Sequence, residues 1–262
     1  WGRVMESGGE DPYWSGEVGK AMIRGYHRGG IACCVKHFAG YGAAEAGREY
    51  NTTDISERNL REYYLRSYRA CLDEKPEMFM SSFNLLNGKP ILGHKEIVVG
   101  ILRREWGFDG VLISDFGAVD EMRAHGYCAT GKECARTAIE SGLDIEMSSP
   151  DYVQYLPELV REGTIPEAMV DECVLRVLEL KDKLGMYEKP DRFTDFFKRD
   201  EVTLSEEGRA LVRRAAEESC VLLKNNGVLP LLEEENIVLV GPFANSKGII
   251  GAWQAKGRNE ES

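Results

Sequence analysis

The chain of 262 residues carries 44 acidic and 33 basic side chains, which give a formal net charge of −11. This acidic balance argues against nucleic acid or an anionic membrane surface as the main partner, because both repel negative charge. A hydrophobic content of 43% with 29% charged residues is ordinary for a folded globular protein. No apolar run reaches the roughly 18 residues that a membrane span needs. A neutral ligand is the simplest expectation.

The seven cysteines, an odd number with no C-x-x-C pair, favour free thiols in a reducing compartment, and we expect a cytoplasmic protein. His125, Cys128 and Cys134 lie close together in sequence, but the fourth ligand and the usual spacing of a zinc site are missing. We therefore expect no metal and no cofactor. The chain begins at Trp1 without an initiator methionine or a signal peptide, which predicts a piece of a longer protein whose own start could carry one.

The first half of the chain alternates helical and strand-like patterns. Helical spacing of apolar residues and short apolar runs predict a helix around 14–26, a strand at 31–38, a helix from Ser56 to 72, a strand at 77–83 and a helix at 95–106. A loop rich in glycine, alanine and glutamate ends at Thr53, and Asn87-Gly88 predicts a turn.

The second half continues the alternation. Gly110 precedes the apolar run 111–113, which is typical of a strand buried on both faces, and Asp115 follows where that strand ends. A helix at 132–141, a strand at 143–147 and two helices between 152 and 184 come next. Four strand-then-helix units imply a parallel sheet with right-handed crossovers, either in a closed barrel or in an open doubly wound sheet. Because a closed barrel needs eight strands, only half of one is present.

Beyond residue 187 the pattern changes. Residues 188–204 are polar and aromatic without a period, which predicts a linker. A helix at 206–224 and a buried strand at 237–240 then begin a second α/β unit. We expect a barrel part over 1–187, the linker, and a second domain over 205–262.

Polar side chains recur where the predicted strands end, and in α/β barrels the active site is built at that end. They are Lys36, His37, Asn84, Asn87, Asp115 and Glu146. A carboxylate, a cation, an imidazole and amides together suit a polyhydroxylated ligand such as a sugar. Each has a simpler reading on its own: Asp115 could cap a helix or turn, and Lys36 and His37 could be a surface lysine and a packed histidine.

Seven motifs, in order along nearly the whole chain, resemble those of glycoside hydrolase family 3. They are Trp1-Gly2-Arg3 with Gly9-Glu10-Asp11-Pro12, Val35-Lys36-His37-Phe38-Ala39-Gly40-Tyr41-Gly42, Glu49-Tyr50-Asn51, Ser82-Phe83-Asn84 with Asn87-Gly88, Ile113-Ser114-Asp115-Phe116-Gly117, Leu222-Leu223-Lys224-Asn225-Asn226-Gly227-Val228-Leu229-Pro230 and Val240-Gly241-Pro242. The resemblance implies the C-terminal half of a (β/α)8 TIM-type barrel, with its first strands before Trp1, followed by the start of an α/β sandwich domain.

The resemblance also implies a β-glucosidase-like enzyme that retains anomeric configuration through two carboxylates about 5 Å apart. Asp115 is the implied nucleophile, which Lys36 and Arg3 would keep ionised. The implied substrate-binding residues are Arg3, Lys36, His37, Glu49 and Phe83. The ligand would be a β-linked oligosaccharide or an aryl or alkyl glycoside, without nucleic acid or membrane partners and with the oligomeric state left open.

The acid/base glutamate of the glucosidase-type members is expected beyond Ser262, so we expect the chain alone to be inactive. If it lies within the chain, Glu10, Glu49 and Glu146 are the first candidates. A β-xylosidase of the same family shares these motifs, and an inactive sugar-binding relative would keep the rim of polar residues.

Two further classes are disfavoured. The N-acetylglucosaminidase branch of the family carries a histidine-aspartate dyad, and Tyr41 stands where that histidine is expected. An open-sheet phosphate-binding enzyme needs a glycine-rich loop at a strand-to-helix junction, which the sequence lacks.

Overall fold

Parallel strands form the centre of the first of two compact units, Trp1–Thr194 and Asp195–Ser262. The structure is a computed structural model that describes residues 1–191, 196–232 and 236–246. The strands are β1 (Cys34–Phe38), β2 (Thr52–Thr53), β3 (Met78–Ser81), β4 (Leu85–Leu86), β5 (Lys89–Pro90) and β6 (Val111–Ile113). β1, β3 and β6 lie side by side in that order, and Ile113 makes a parallel bridge to Ile145.

The order of these parallel strands follows their order in the chain. An open doubly wound sheet reverses its strand order at a switch point, whereas a barrel adds each strand beside the previous one. No reversal occurs across the described strands from β1 to Ile145. Of the two arrangements that the sequence left open, the structure has the barrel-like one.

Helices alternate with these strands and cover the outer face of the sheet. They are α1 (Pro12–Arg28), α2 (Glu57–Asn59), α3 (Arg66–Cys71), α4 (Ala118–Ala124), α5 (Gly131–Glu140), α6 (Asp151–Arg161) and α7 (Glu167–Lys183), with π-helical segments at Leu60–Tyr64 and Glu96–Glu105. The Ser56 hydroxyl accepts a hydrogen bond from the Asn59 N–H, which confirms Ser56 as the predicted helix start. Most of the predicted helices are therefore confirmed to within a few residues.

A small second sheet of β2, β4 and β5 follows the ends of β1 and β3 in the chain. β4 and β5 form a hairpin through Asn87 and Gly88, whose φ angles of +50° and +82° suit the predicted Asn-Gly turn. Asn87 also donates to the Ile55 carbonyl and accepts from the Ile55 N–H, at 2.9 and 2.8 Å. The hairpin is therefore fixed to the loop that follows β2.

The core between sheet and helices is rich in aromatic residues. Phe38 and Phe79, on neighbouring strands, are fully buried with ring centroids 5.8 Å apart in an edge-to-face arrangement. Phe108 packs against Phe79 at 4.8 Å, and Trp106 against Phe38 at 6.0 Å. Such pairs add to the stabilisation from buried area and hold the strands in register against the helices.

One fully buried carboxylate, Asp144, connects the sheet to two helical segments. Its Oδ2 accepts from Arg103 at 2.6 Å and from the Leu112 N–H at 2.7 Å, and its Oδ1 accepts from Arg176 at 2.8 Å. Arg103 lies on the Glu96–Glu105 helix and Arg176 on α7. Since both oxygens have cationic donors, the charge is compensated without water.

Two predicted strands differ from the structure, and one helix is present that the sequence did not predict. The predicted strand at 143–147 is reduced to the single bridge at Ile145, and α4 was not predicted. The predicted strand at 237–240 is wrong, because a strand needs a hydrogen-bonded neighbour and none of the described residues pairs with this segment. Its apolar side chains are exposed.

In the second unit, two helices are described, α8 (Phe196–Val202) and α9 (Glu206–Ser219). α9 begins where the helix at 206–224 was predicted and ends earlier, and α8 lies inside the predicted linker. Of the predicted linker and second domain, residues 192–195, 233–235 and 247–262 lie outside the described residues. Among the described helices, none combines the length and the apolar character needed to cross a bilayer.

We expect Asp144→Ala to lower the free energy of unfolding of the full-length protein by about 3–5 kcal/mol, because it leaves two arginines without their buried partner. Urea unfolding would measure the change. Asp171→Ala removes an exposed carboxylate from α7 and is the matched control, with an expected change within about 0.5 kcal/mol. Equal stability of the two variants would contradict a supporting role for Asp144.

Candidate active site

Asp115 lies two residues beyond the end of β6, on the turn that leads into α4. Its side chain is 12% exposed, and its Oδ1 accepts a hydrogen bond from the Phe116 N–H at 2.7 Å. Its Oδ2 is buried and has no hydrogen-bond partner among the described residues. A buried carboxylate oxygen without a donor is costly, so it marks a position reserved for chemistry or for a ligand.

His37 explains why Asp115 keeps this unpartnered oxygen. The His37 Nε2 lies 3.4 Å from Asp115 Oδ2 and 3.2 Å from an Arg3 guanidinium nitrogen. Burial, reinforced by the charges of Arg3 and Lys36, lowers the pKa of His37 to about 3, so the imidazole is neutral. Because arginine can only donate, Nε2 accepts from Arg3 and has no proton to offer Asp115. The two groups are neighbours without a hydrogen bond.

Arg3 is itself held by carboxylates. It makes two hydrogen bonds to Glu6, at 2.7 and 2.8 Å, and its Nε lies 3.8 Å from Glu49. The hydrogen bond to Glu6 raises the pKa of Arg3 further above its ordinary value. The guanidinium is therefore a permanent charge that joins the predicted residues Arg3, Glu49 and His37 into one cluster.

Lys36 makes no hydrogen bond or ion pair with any described residue, and its ammonium is available to a ligand.

Burial raises the pKa of Asp115, while the Phe116 N–H and the positive charges of Lys36 and Arg3 oppose the rise. The sequence predicted that these cations keep Asp115 ionised. The two cations do favour the ionised form of Asp115, but burial has the larger effect. The pKa of Asp115 is therefore raised overall.

Aromatic rings form one wall of the cluster. Phe83 is buried, and its ring centroid lies 4.6 Å from that of Tyr50 and 5.9 Å from that of Tyr41. Trp1 packs edge-on against Tyr41 at 4.9 Å. The ring of the predicted Phe83 thus lies in this aromatic wall. Trp1, Tyr41 and Tyr50, which were not predicted as site residues, lie there as well.

Tyr41 carries a second unpartnered polar atom. Its ring lies 5.6 Å from that of His37, and its hydroxyl is buried without a hydrogen-bond partner among the described residues. Burial also raises its pKa. Its position in the same motif as Lys36 and His37 was the one signal in the sequence that could have identified it.

An open cleft of about 470 Å³ adjoins Asp115 through the residues that follow it. It is lined by Tyr50, Phe116, Gly117, Asp120, Glu121, Arg123, Ser148, Ser149 and Pro150. The side chain of Phe116, which follows the buried Asp115 in the chain, is 69% exposed. The cleft lies beside the cluster around Asp115 and does not include Lys36 or His37.

Three of the residues expected at the strand ends have structural roles instead. Glu146 accepts hydrogen bonds from the Tyr152 and Asp151 N–H groups at 2.6 and 3.2 Å, so it caps α6. Asn84 donates to the Thr53 hydroxyl at 3.2 Å, and Asn87 holds the hairpin. Glu10 is exposed in the loop before α1.

The three residues considered for zinc, His125, Cys128 and Cys134, do not bring three ligand atoms together in the described part of the chain. There, one group of three has its ligand atoms within 4.8 Å of one another: His27, Cys33 and Glu77. Cys33 and Glu77 directly precede β1 and β3, at the end of the sheet opposite Asp115.

Taken together, a buried carboxylate with one free oxygen, a neutral imidazole, an unengaged ammonium and an aromatic wall can hold a neutral hydroxylated ligand. The carboxylate oxygen can attack an electrophilic carbon of that ligand, and the cations can balance the charge.

Comparisons with known proteins find relatives that are named as glycosidases. The family model described as "Glycosyl hydrolase family 3 N terminal domain" matches residues 1–180. The periplasmic beta-glucosidase of Salmonella typhimurium is 36% identical over all of this chain and 36% of its own length. A probable exo-1,4-beta-xylosidase (bxlB) of Aspergillus terreus is 33% identical over 94% of this chain and 34% of its own length.

Among solved structures, the beta-glucosidase of Listeria innocua in complex with gluconolactone superposes with a TM-score of 0.93 and 44% identity, over 99% of this chain and 37% of that one. Other structures of the same enzyme contain glucose or isofagomine. The chain therefore spans about a third of the length of these relatives. Its first 180 residues match an N-terminal domain of the TIM-barrel type, and the chain belongs to glycoside hydrolase family 3.

Proposed function

We propose that the chain is the nucleophile-bearing part of a retaining β-glycosidase that releases terminal β-D-glucosyl residues. The observation that carries this proposal is the buried Oδ2 of Asp115, which has no hydrogen-bond partner in the described part of the chain and lies beside the neutral His37. Relatives named as glucosidases, together with glucose and gluconolactone bound in solved structures, support a glucoside as substrate.

In the proposed mechanism, Asp115 Oδ2 attacks the anomeric carbon and forms a covalent glycosyl-enzyme ester. A second carboxyl group donates a proton to the leaving oxygen and later removes one from the attacking water. We expect that group beyond Ser262. The capping role of Glu146 supports this expectation, because both of its carboxylate oxygens already accept backbone hydrogen bonds.

Lys36, Arg3 and His37 have complementary parts in this proposal. Lys36 and Arg3 stabilise the ionised Asp115, which the reaction needs and which burial disfavours. The neutral His37 can hydrogen-bond a sugar hydroxyl without adding a charge beside the nucleophile. Hydrogen bonds to hydroxyls that strengthen in the oxocarbenium-like transition state then contribute to the rate.

The sugar that the full-length enzyme releases is part of this proposal. A β-xylosidase is the second candidate, because a relative is named as one, and the ratio of kcat/KM on aryl β-glucoside and β-xyloside would decide between them. An inactive sugar-binding relative would bind either sugar without turnover.

We propose that residues 1–187 are the C-terminal half of the barrel and that 205–262 begin a sandwich domain after the linker.

We propose a cytoplasmic location, supported by the seven free cysteines. The name of the Salmonella relative describes that protein as periplasmic. Fractionation of cells that produce the full-length protein would test the location.

In the full-length protein, Asp115→Asn should lower turnover of an aryl β-glucoside by several powers of ten and leave the folded state intact. The amide has the shape of the carboxylate but cannot act as the nucleophile. Steady-state kinetics and circular dichroism would measure the two effects.

Asp109→Asn is the matched control, because Asp109 is exposed at the opposite end of β6 and should tolerate the change. Turnover of the Asp115→Asn variant at the wild-type rate would remove Asp115 from the role of nucleophile.

We also expect the imidazole of His37 to stay neutral between about pH 8 and pH 5, because its pKa is lowered to about 3. Nuclear magnetic resonance of histidine-labelled protein would follow the ring, with the His37→Gln variant identifying its signal. In urea the same residue should titrate near its ordinary pKa of about 6.5. A native pKa near that value would contradict a neutral His37.

Residues 1–262 alone should show no measurable glycosidase activity, because retention requires the second carboxyl group. The purified chain would be assayed on aryl β-glucoside and β-xyloside beside the full-length protein, after circular dichroism has confirmed that it is folded. Clear turnover that is abolished by Asp115→Asn would mean that the acid/base lies within the chain. Glu10 and Glu49 would then be tested first, followed by Glu146.

A further inference from the structure

A second polar cluster lies at the N-terminal ends of the strands, opposite Asp115. Cys34 is opposite Met78 in the parallel register of β1 and β3, and the Met78 N–H donates to the Cys33 carbonyl at 3.0 Å. Cys33 and Glu77 are therefore held side by side by the backbone of the sheet. His27 reaches them from the last turn of α1.

The three ligand atoms already approach the geometry of a metal site. The His27 Nε2, the Cys33 Sγ and a Glu77 carboxylate oxygen lie within 4.8 Å of one another. His27 Nε2 and Glu77 Oε2 are 3.1 Å apart. In a tetrahedral zinc site, the nitrogen and oxygen ligands lie about 3.3 Å apart, close to this distance. The Cys33 Sγ would need to move toward the other two ligand atoms by about 1 Å. The hydrogen bond of the Cys33 thiol to the Ile23 carbonyl, at 3.9 Å, is weak and opposes such a movement little.

The surroundings of Glu77 suit a metal-binding carboxylate. Its Oε1 accepts from Lys183 at 2.8 Å, and its Oε2 accepts from the Cys33 N–H at 2.9 Å. Metal-binding carboxylates are oriented by such hydrogen bonds, and each oxygen has a further lone pair for the ion. The side chains of Glu77 and His27 are 6% and 32% exposed, so the cluster is buried on one side and open to water on the other.

We propose that His27, Cys33 and Glu77 bind a zinc ion, with a water molecule as the fourth ligand. A thiolate and an imidazole together favour zinc over magnesium or calcium, which prefer oxygen ligands. The Cys33 thiol releases its proton to solvent as the zinc–sulfur bond forms. Because this end of such barrels serves stability, the ion would fasten α1 to β1 and β3 and take no part in glycoside hydrolysis.

The metal-free alternative is a hydrogen-bonded network in which Glu77 binds His27, Lys183 and the Cys33 backbone. Both accounts use the imidazole and the carboxylate. They differ at the Cys33 sulfur, which only a metal ion would engage strongly. The experiment therefore tests whether the Cys33 sulfur binds a metal ion.

The full-length protein would be stripped with a chelator, reloaded with zinc chloride and dialysed. Elemental analysis should find one bound zinc ion per chain in the wild type, and its loss in Cys33→Ala and His27→Gln. Cys34→Ala is the matched control, because Cys34 is the neighbouring, exposed cysteine outside the cluster. Zinc should raise the melting temperature of the wild type and of Cys34→Ala, and should leave that of the other two variants unchanged.

Cobalt(II) provides a readout that does not depend on the folding of the Cys33 variant. Bound to the wild type, it should give a thiolate-to-cobalt charge-transfer band in the near ultraviolet, which His27→Gln should weaken or abolish. The proposal is overturned if the reloaded wild type holds no zinc, if Cys33→Ala holds as much, or if the cobalt-loaded protein lacks the band.

Discussion

Parallel hydrogen bonding between β1, β3 and β6 is the constraint on which the other features of the first unit depend. Because neighbouring strands run in the same direction, one register aligns Cys34 with Met78 and Met78 with Val111. The carboxyl ends of the strands then bring His37 and Asp115 together, although they are far apart in the chain. The amino ends bring Cys33 beside Glu77, next to the pair of Cys34 and Met78, whereas the register of β1 and β3 shifts by one residue between Val35 and Phe38 toward the carboxyl ends. A single sheet thus carries two separate polar clusters.

Two buried aspartates show how differently the fold treats negative charge. Asp144 has a cationic donor for each oxygen, so its charge is compensated. Asp115 has one oxygen without a hydrogen-bond partner among the described residues, a deficit of about 1–3 kcal/mol for a buried polar group. Phe38, Phe79 and their neighbours form the buried hydrophobic core of the same unit. A buried polar atom without a hydrogen-bond partner is expected at functional sites, and its energetic cost is offset by favourable interactions elsewhere in the fold.

The sequence-based predictions succeeded where the controlling interactions are local and failed where distant residues decide. Ser56 caps its helix and Asn87-Gly88 forms the hairpin because both depend on a few adjacent residues. Glu146 was grouped with Asp115 because both follow strands. Its oxygens instead accept from the first turn of α6, a contact that depends on how the chain turns after Met147. The segment 237–240 has the composition of a strand, but pairing is not a local property.

The amino-acid sequence by itself determined the alternation of strands and helices, the position of Asp115 at a strand end and the family motifs, since periodicity and backbone sterics act over a few residues. Only the tertiary structure decided that His37 is neutral, that no described residue donates to Asp115 Oδ2 and that His27 lies beside Cys33 and Glu77. Protonation and hydrogen bonding depend on burial and on the partners that burial brings close. Those partners come from segments far apart in the chain, and folding alone joins them.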